Sequence, residues 1–404
     1  MDITLKSKVK NLNGHIKLNS SKSESNRVLV INALSGGLCK IDNLSNARDT
    51  DTMQRLLSQS ESDTWDVLDA GTTMRFLTAF TAVSNRSRVL TGTERMQQRP
   101  IKILGDALEK LGSSIAYLNN EGYPPLSIAP IKKQLNSVIQ VPGDISSQYI
   151  SALLMIAPVL PEGLTIEIEG TIYSRPYIEM TLSLMQHFGI SHEWEKQSIK
   201  ISPQKYQPNQ YTVESDWSGA SYWYSMAALA DETDIYLEGL RSVSNQGDFE
   251  IVRIMEGFGV KSEFDENGVR LTKSGSVEKE LTIDFKSCPD LAQTVIACAA
   301  LKGIDLKMTG LESLKIKETD RIAAMQKESA KFGGQLIENN DQWVFKSNPQ
   351  ISSDVVTIET YEDHRMAMAF APLSFIGELT IKEKEVVNKS YPDFWRDLKK
   401  VGIL

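Results

Sequence analysis

Residues Ser146 to Leu160 read SSQYISALLMIAPVL: two hydroxyls and an amide, then small and apolar side chains, with Pro158 near the end. A polar head on a short, thoroughly apolar segment is the pattern of a buried helix with a capped N-terminus. Five further segments have the same design: SESNRVLVINALSGG from Ser23, AGTTMRFLTAF from Ala70, SGASYWYSMAALA from Ser218, PDLAQTVIACAALKG from Pro289 and DHRMAMAFAPLSFIG from Asp363. Taking Gly71, Ser147, Gly219, Leu291 and His364 as equivalent points, the spacings are 76, 72, 72 and 73 residues. A fixed period of this length marks a repeat architecture. The heads of these helices carry Arg27, Arg75, Gln148, Asp290 and Arg365. Helix N-termini favour phosphates and carboxylates, because unpaired N–H groups and the helix dipole both attract anions.

A second, amphipathic helix follows each small-residue helix. The later copies end at Gly112, Gly189, Gly259, Gly333 and Gly402, a standard helix stop. Short β-branched runs such as LTIEIEG, TDIYLEG and DLKMTG lie between them and read as strands. Each unit is therefore of the βαβαββ type. The first is short, with only 46 residues between Ser25 and Gly71, and its later strands are nearly absent. Six units divide into two domains of three. The expected split is residues 21–215 for the first, and residues 1–20 with 216–404 for the second.

The chain has 404 residues, 41% hydrophobic and 24% charged, with a net charge of −8. That size supports two large cores. The negative balance argues against a nucleic-acid partner. Cys39, Cys288 and Cys298 show no CxxC spacing, and His15, His187, His192 and His364 show no ligand spacing, so neither a metal nor a disulfide is expected. No apolar run reaches membrane length, and MDITLKSKVK is not a signal sequence. A cytoplasmic monomer without a cofactor is expected.

The chemistry-bearing motifs are individually ordinary. Ser21-Lys22-Ser23 reads as a hydroxyl cap, Ser146-Ser147 as another, and Asp290 after Pro289 as an acidic cap. Lys317-Glu318-Thr319-Asp320-Arg321 reads as a solvated helix surface, with Lys317 and Arg321 on one face if the helix already covers Lys317. Asp363 reads as a cap beside a partly exposed Arg365. Their joint placement at equivalent points of one repeat changes the reading. The repeat would converge Lys22, Arg27, Arg99, Lys317, Arg321, Arg365 and Lys389. That many cations repel unless anionic ligands compensate them, so two ligands bearing phosphate and carboxylate are expected, with Asp290 and Glu318 as proton carriers.

SKSESNR, DAGTTMR, ERMQQRP, GDISSQ, SRPY, KIKETDR, YEDHRMAM and KSYPDF occur in this order. The chain resembles the 5-enolpyruvylshikimate-3-phosphate synthase family along essentially its whole length. The resemblance implies two similar α/β domains, each an inside-out α/β barrel of three βαβαββ repeats, with an active site in the interdomain cleft. It implies that shikimate 3-phosphate is held by Lys22, Ser23, Arg27, Ser146, Ser147, Gln148, Ser174, Asp290 and Lys317. The serines would take its phosphate and Arg27 its carboxylate, with Tyr177 alongside the ring. Phosphoenolpyruvate would meet Lys22, Gly71, Arg99, Gln148, Arg321, Arg365 and Lys389. Asp290 would be the base on the attacking hydroxyl and Glu318 the acid on C3, with Lys22 sharing proton duty. Competitive inhibition by glyphosate is implied too.

Three positions depart from the family pattern. Ser313 stands where many members carry the Asn that meets the shikimate hydroxyls, Phe76 replaces a Pro, and Asp69 replaces an Asn. Other readings are the sister transferase acting on UDP-N-acetylglucosamine, a non-catalytic shikimate-phosphate-binding relative and an RNA-processing relative. The sister family usually carries a Cys before the equivalent of Arg99, and residues 90–99 contain none. Retention of Asp290, Glu318, Lys22 and Lys389 argues against a lost activity, and the net charge against RNA.

Overall fold

The computed structural model describes residues 1–404 apart from Ile145 and Asp341. Each small-residue segment contains an α-helix: Lys22–Leu34, Gly71–Val83, Ser147–Ile156, Trp217–Leu229, Ala292–Lys302 and His364–Phe370. The fifth is entered through a 3-10 turn at Pro289–Leu291. The sixth continues as a 3-10 turn at Ala371–Phe375, where Pro372 supplies no N–H to an α-helical ladder. Almost every side chain of Gly71–Val83, Trp217–Leu229 and Ala292–Lys302 is buried, which is why these helices show no polar stripe. Small residues such as Ala79, Ala152, Ala220 and Ala297 let neighbouring helices approach closely.

Two compact units result, Ser21–Val213 and Met1–Ser20 with Glu214–Leu404, each with its own hydrophobic core. Within each unit the three small-residue helices pack against one another. Four four-stranded sheets share one topology: a parallel pair, then an antiparallel hairpin whose second strand joins the pair. In one, Val138–Pro142 runs parallel to Leu164–Glu169, which pairs antiparallel with Ser198–Ile201, and that strand with Glu193–Glu195. Leu164, Ile166 and Ile168 turn inward while Glu167 and Glu169 face water, the period of two that fixes register. The five helix-stop glycines all adopt positive φ, from 79° to 107°, where a Cβ would be strained.

The remaining two sheets are reduced. Lys40–Asp42 pairs only with Gln210–Thr212. After the amphipathic helix Arg48–Ser58 the chain goes directly to Thr64–Asp66, the first strand of the next sheet, so the first repeat lacks its hairpin. In the other unit, Val356–Ile358 runs parallel to Leu379–Ile381, and Ile3–Leu5 lies antiparallel on the latter in place of a hairpin strand. Leu12–Lys17 pairs parallel with Thr233–Glu238. The first residues are thus part of two sheets of the unit built from Glu214–Leu404.

One local expectation needs correction. Lys317 is not helical: it follows the 3-10 turn Glu312–Ile316, and the helix runs Arg321–Ala330. Asp320 sets that start, because its side chain accepts the Ala323 N–H at 3.1 Å. Lys317 and Arg321 therefore do not share a helix face. Among the described residues no helix is long and apolar enough to cross a membrane.

Candidate active site

In the unit Ser21–Val213, the expected residues gather around four helix starts. Ser21 caps Lys22–Leu34, its hydroxyl accepting the Glu24 N–H. Lys22 is mostly buried, with Nζ 3.1 Å from Asp49 Oδ2. The Asp49 carbonyl in turn accepts the Thr73 hydroxyl at 3.3 Å, tying Lys22 to the head of Gly71–Val83. No side chain caps that head. Arg99 lies against it: a Cβ built on Gly71 would sit 2.6 Å from Arg99 Nη1. Gln148 reaches the same place, its Nε2 donating to Thr72 Oγ1 at 3.1 Å. Lys22, Gly71, Arg99 and Gln148 are therefore neighbours, built on three different helices and a loop.

A second group surrounds Arg27. Its guanidinium is buried and donates to Thr181 Oγ1 at 2.7 Å, the Ser23 carbonyl at 2.9 Å, Ser151 Oγ at 3.2 Å and the Tyr177 carbonyl at 3.3 Å. It also lies over the Phe76 and Tyr177 rings. Burial pushes it down to about 10, against smaller opposing pulls from Tyr177 and Glu24. Ser174 precedes the helix Arg175–His187 in a left-handed conformation at φ 54°, which is strained for a non-glycine residue. Ser146 and Ser147 open the neighbouring helix, Ser146 accepting the Gln148 N–H at 3.4 Å. A hydrogen bond from the Tyr173 N–H to the Gly143 carbonyl holds these two hydroxyl-bearing turns together.

In the other unit, Arg321 is the centre. It is 1% exposed and donates to three carboxylates: Nε to Asp363 Oδ2 at 2.7 Å, Nη1 to Asp290 Oδ1 at 3.0 Å and Nη2 to Glu318 Oε2 at 2.9 Å. Arg365 Nη2 meets Asp290 Oδ2 at 2.9 Å, and Lys389 Nζ stands 3.7 Å from Glu318 Oε1. Burial alone would raise the Asp290 carboxyl. Arg365, Lys317 and Arg321 together outweigh it and hold the group well below the usual carboxylate range. The three carboxylates in turn hold the Arg321 guanidinium charged despite its burial.

Three of the ordinary readings fail here. Asp290 is no cap: it caps nothing and takes two arginines. KETDR is no solvated face, since Arg321 is buried. Arg365, read as partly exposed, is buried too. Asp363 does cap, accepting the Arg365 N–H at 2.9 Å, but the same carboxylate grips Arg321. Nor do Arg321, Arg365 and Lys389 wait bare for ligands, because internal carboxylates already pair with them. Ser313 lies in the 3-10 turn before Lys317.

Sequence reasoning missed Asp49, Ser218 and Asp248. Asp49 opens an amphipathic helix whose pattern gives no hint of a partner. Ser218 Oγ takes Arg365 Nη2 at 3.3 Å and donates to the buried Asp248. Burial first, then the neighbouring Asp290 charge, raises the Asp248 carboxyl to about 7. Only the tertiary contact marks it, as the Gly-Asp of QGDFE has no distinctive spacing.

Comparison with known proteins identifies relatives of the whole chain. The family model for EPSP synthase (3-phosphoshikimate 1-carboxyvinyltransferase) matches residues 6–64 and 56–398. A 3-phosphoshikimate 1-carboxyvinyltransferase of Bacteroides fragilis (strain YCH46) is 48% identical over 390 residues, covering 96% of this chain and 95% of that protein. One from Shewanella baltica (strain OS185) is 33% identical over 412 residues, 95% of each chain. The solved EPSP synthase of Acinetobacter baumannii, 20% identical, superposes with a TM-score of 0.79 over 100% of this chain and 99% of that one, which shows the shared fold. The chain belongs to the EPSP synthase (3-phosphoshikimate 1-carboxyvinyltransferase) family.

Proposed function

We propose that this protein transfers the enolpyruvyl group of phosphoenolpyruvate to the 5-hydroxyl of shikimate 3-phosphate, releasing phosphate. The observation that carries this reading is the shared grip of Asp290 and Glu318 on Arg321, at 3.0 and 2.9 Å. Two candidate proton carriers and three candidate anion-binding cations thereby occupy one cluster of hydrogen bonds and ion pairs. The named relatives favour a catalytic over a non-catalytic reading.

Addition needs a base on the hydroxyl and an acid on C3 of phosphoenolpyruvate; elimination then needs the C3 proton removed as phosphate leaves. Asp290 is held ionised, so it can accept the hydroxyl proton. Glu318 is the acid and then the base at C3, with Lys22 sharing proton duty. The carboxylate and phosphate of phosphoenolpyruvate compete with Asp290 and Glu318 for Arg321, Arg365 and Lys389. Losing part of that cationic contact raises the proton affinity of Asp290, so substrate binding itself prepares the base. The same cations then stabilise the departing phosphate. Lys22, Arg99, Gln148 and the uncapped head at Gly71 supply further anion contacts, while Arg27, Ser23, Ser146, Ser147, Ser174, Tyr177, Ser313 and Lys317 hold shikimate 3-phosphate. In this reading both clusters serve one reaction, in a monomer of the cytoplasm.

The deciding experiment is phosphate release from phosphoenolpyruvate by the purified protein, with shikimate 3-phosphate, with UDP-N-acetylglucosamine, or with neither. Release dependent on shikimate 3-phosphate is expected. Release with the sugar nucleotide alone, or none with either acceptor, would overturn the assignment.

A further inference from the structure

The helix Trp217–Leu229 begins beside Ser218, which touches Arg365, and at its other end two lysines converge. Lys273 closes the strand Gly268–Lys273, and Lys302 closes the helix Ala292–Lys302. Both donate to the same oxygen, the Ala228 carbonyl, Lys273 Nζ at 2.9 Å and Lys302 Nζ at 3.1 Å. Sharing one acceptor means the two nitrogens can be no farther apart than the sum of those distances. Both side chains are half-buried, so water screens their repulsion poorly. The simplest relief is for one of the pair to lose its proton.

Several groups act on this pair. Burial, then the Lys302 charge, pulls Lys273 down to about 8, while Cys298, Glu232 and Asp231 pull weakly the other way. The carbonyl end of the helix favours cations as well, but it is shared between two of them. Ala228 is one of the last residues of its helix, so its carbonyl has no intrahelical donor and accepts an amine in either protonation state. Lys273 thus combines an available lone pair, partial exposure and a fixed position.

We propose that Lys273 is a nucleophilic amine that accepts acyl groups from acyl phosphates at neutral pH, a modification site outside the substrate-binding residues. The neutral amine attacks the acyl carbon and the C–N bond forms. The bond from that carbon to the phosphate oxygen breaks, phosphate leaves with the electron pair, and the surplus amine proton passes to solvent. The amide keeps one N–H, which can still donate to the Ala228 carbonyl. Ten residues of helix, at about 1.5 Å each, separate Ala228 from Ser218, so turnover should not change on acylation.

The test uses the full-length protein and acetyl phosphate as the probe, with labelled peptides quantified by mass spectrometry across a pH series. At neutral pH Lys273 should be acetylated roughly tenfold faster than the exposed Lys132 and Lys205, given the larger free-amine fraction of a more acidic lysine. Its rate should show a midpoint near pH 8. Lys302→Met should move that midpoint upward and slow labelling at neutral pH several-fold, whereas Lys302→Arg, which keeps the charge, should preserve fast labelling. Equal rates for Lys273, Lys132 and Lys205 in the native protein would overturn the proposal. So would a Lys302→Met protein that labels as the native one does. Should Lys302→Met fail to fold, the native rates and Lys302→Arg decide the matter in the same two directions.

Discussion

The two clusters of candidate site residues handle positive charge in opposite ways. Around Arg321, three carboxylates take the guanidinium directly, and Arg365 and Lys389 share two of them. Around Arg27, the hydrogen bonds go to two hydroxyls and two backbone carbonyls. The first arrangement is a compensated network in which removing one member leaves buried charge behind. The second is a desolvated cation whose neutral partners can hydrogen-bond elsewhere: Thr181 Oγ1 already donates to Ser151 Oγ at 2.9 Å. A bound anion would therefore displace internal carboxylates in one cluster and add to neutral partners in the other.

The sharpest way to break this contrast is Arg321→Met. It strands Asp290, Glu318 and Asp363 together and should cost about 3–5 kcal/mol of stability along with all turnover. An unchanged midpoint in urea unfolding would show that the carboxylates need no cation. Next is Glu318→Gln, which keeps a hydrogen-bonding partner for Arg321 but no titrating group. Turnover should fall by roughly 10²–10⁴ with shikimate 3-phosphate affinity retained, as for removal of a general acid–base. Near-native kcat would remove Glu318 from proton transfer.

Arg27→Met tests the other side. Loss of a charge-assisted bond should weaken shikimate 3-phosphate by about 1.5–3 kcal/mol in calorimetry, with little loss of stability. A stability loss as large as that of Arg321→Met would erase the distinction between the clusters. A smaller effect is expected from Gly71→Ala, whose methyl would meet the Arg99 guanidinium at 2.6 Å. Arg99 must shift, so the KM for phosphoenolpyruvate should rise about tenfold, or ~1.4 kcal/mol, and glyphosate should compete less well. An unaltered KM would mean that Arg99 does not contact this substrate.

A pH-dependent effect is expected at Asp248, whose carboxyl is raised from 3.8 to about 7. A raised acid holds its proton more tightly in the folded chain than in the unfolded one. Its contribution is therefore fully present below the unfolded value and is lost as pH climbs toward the folded one. Asp248→Asn should flatten that part of the stability profile between about pH 4 and 7, measured by denaturant midpoints. A profile as steep as that of the native chain would assign the slope to other groups.

Much of the architecture was legible because the repeat imposes the same local rules several times. Polar heads, small-residue helices and glycine stops recur with a period, and each is fixed by short-range chemistry: capping, burial on all sides and positive φ. The shortened first repeat could be counted directly from residue spacing. Less local matters were hidden. Taken alone, Asp290 and Asp363 both read as helix caps, yet Asp290 takes two arginines and Asp363 caps while holding an arginine from another helix. KETDR taken alone reads as a solvated face, although Asp320 delays the helix and Arg321 turns inward.

What the sequence determined alone is therefore the repeat, the placement of polar heads on buried helices and the identity of most anion-binding candidates. These follow from periodicity and residue type. What only the tertiary structure decided is which charges compensate which. Lys22 finds Asp49, Arg365 finds Asp290 and Ser218, and Asp248 stands behind Ser218, across separations of 27 to 147 residues. Such pairings depend on distances between side chains of different helices. No local pattern encodes those distances, because Coulomb energy and desolvation are set by the folded environment rather than by neighbours in the chain.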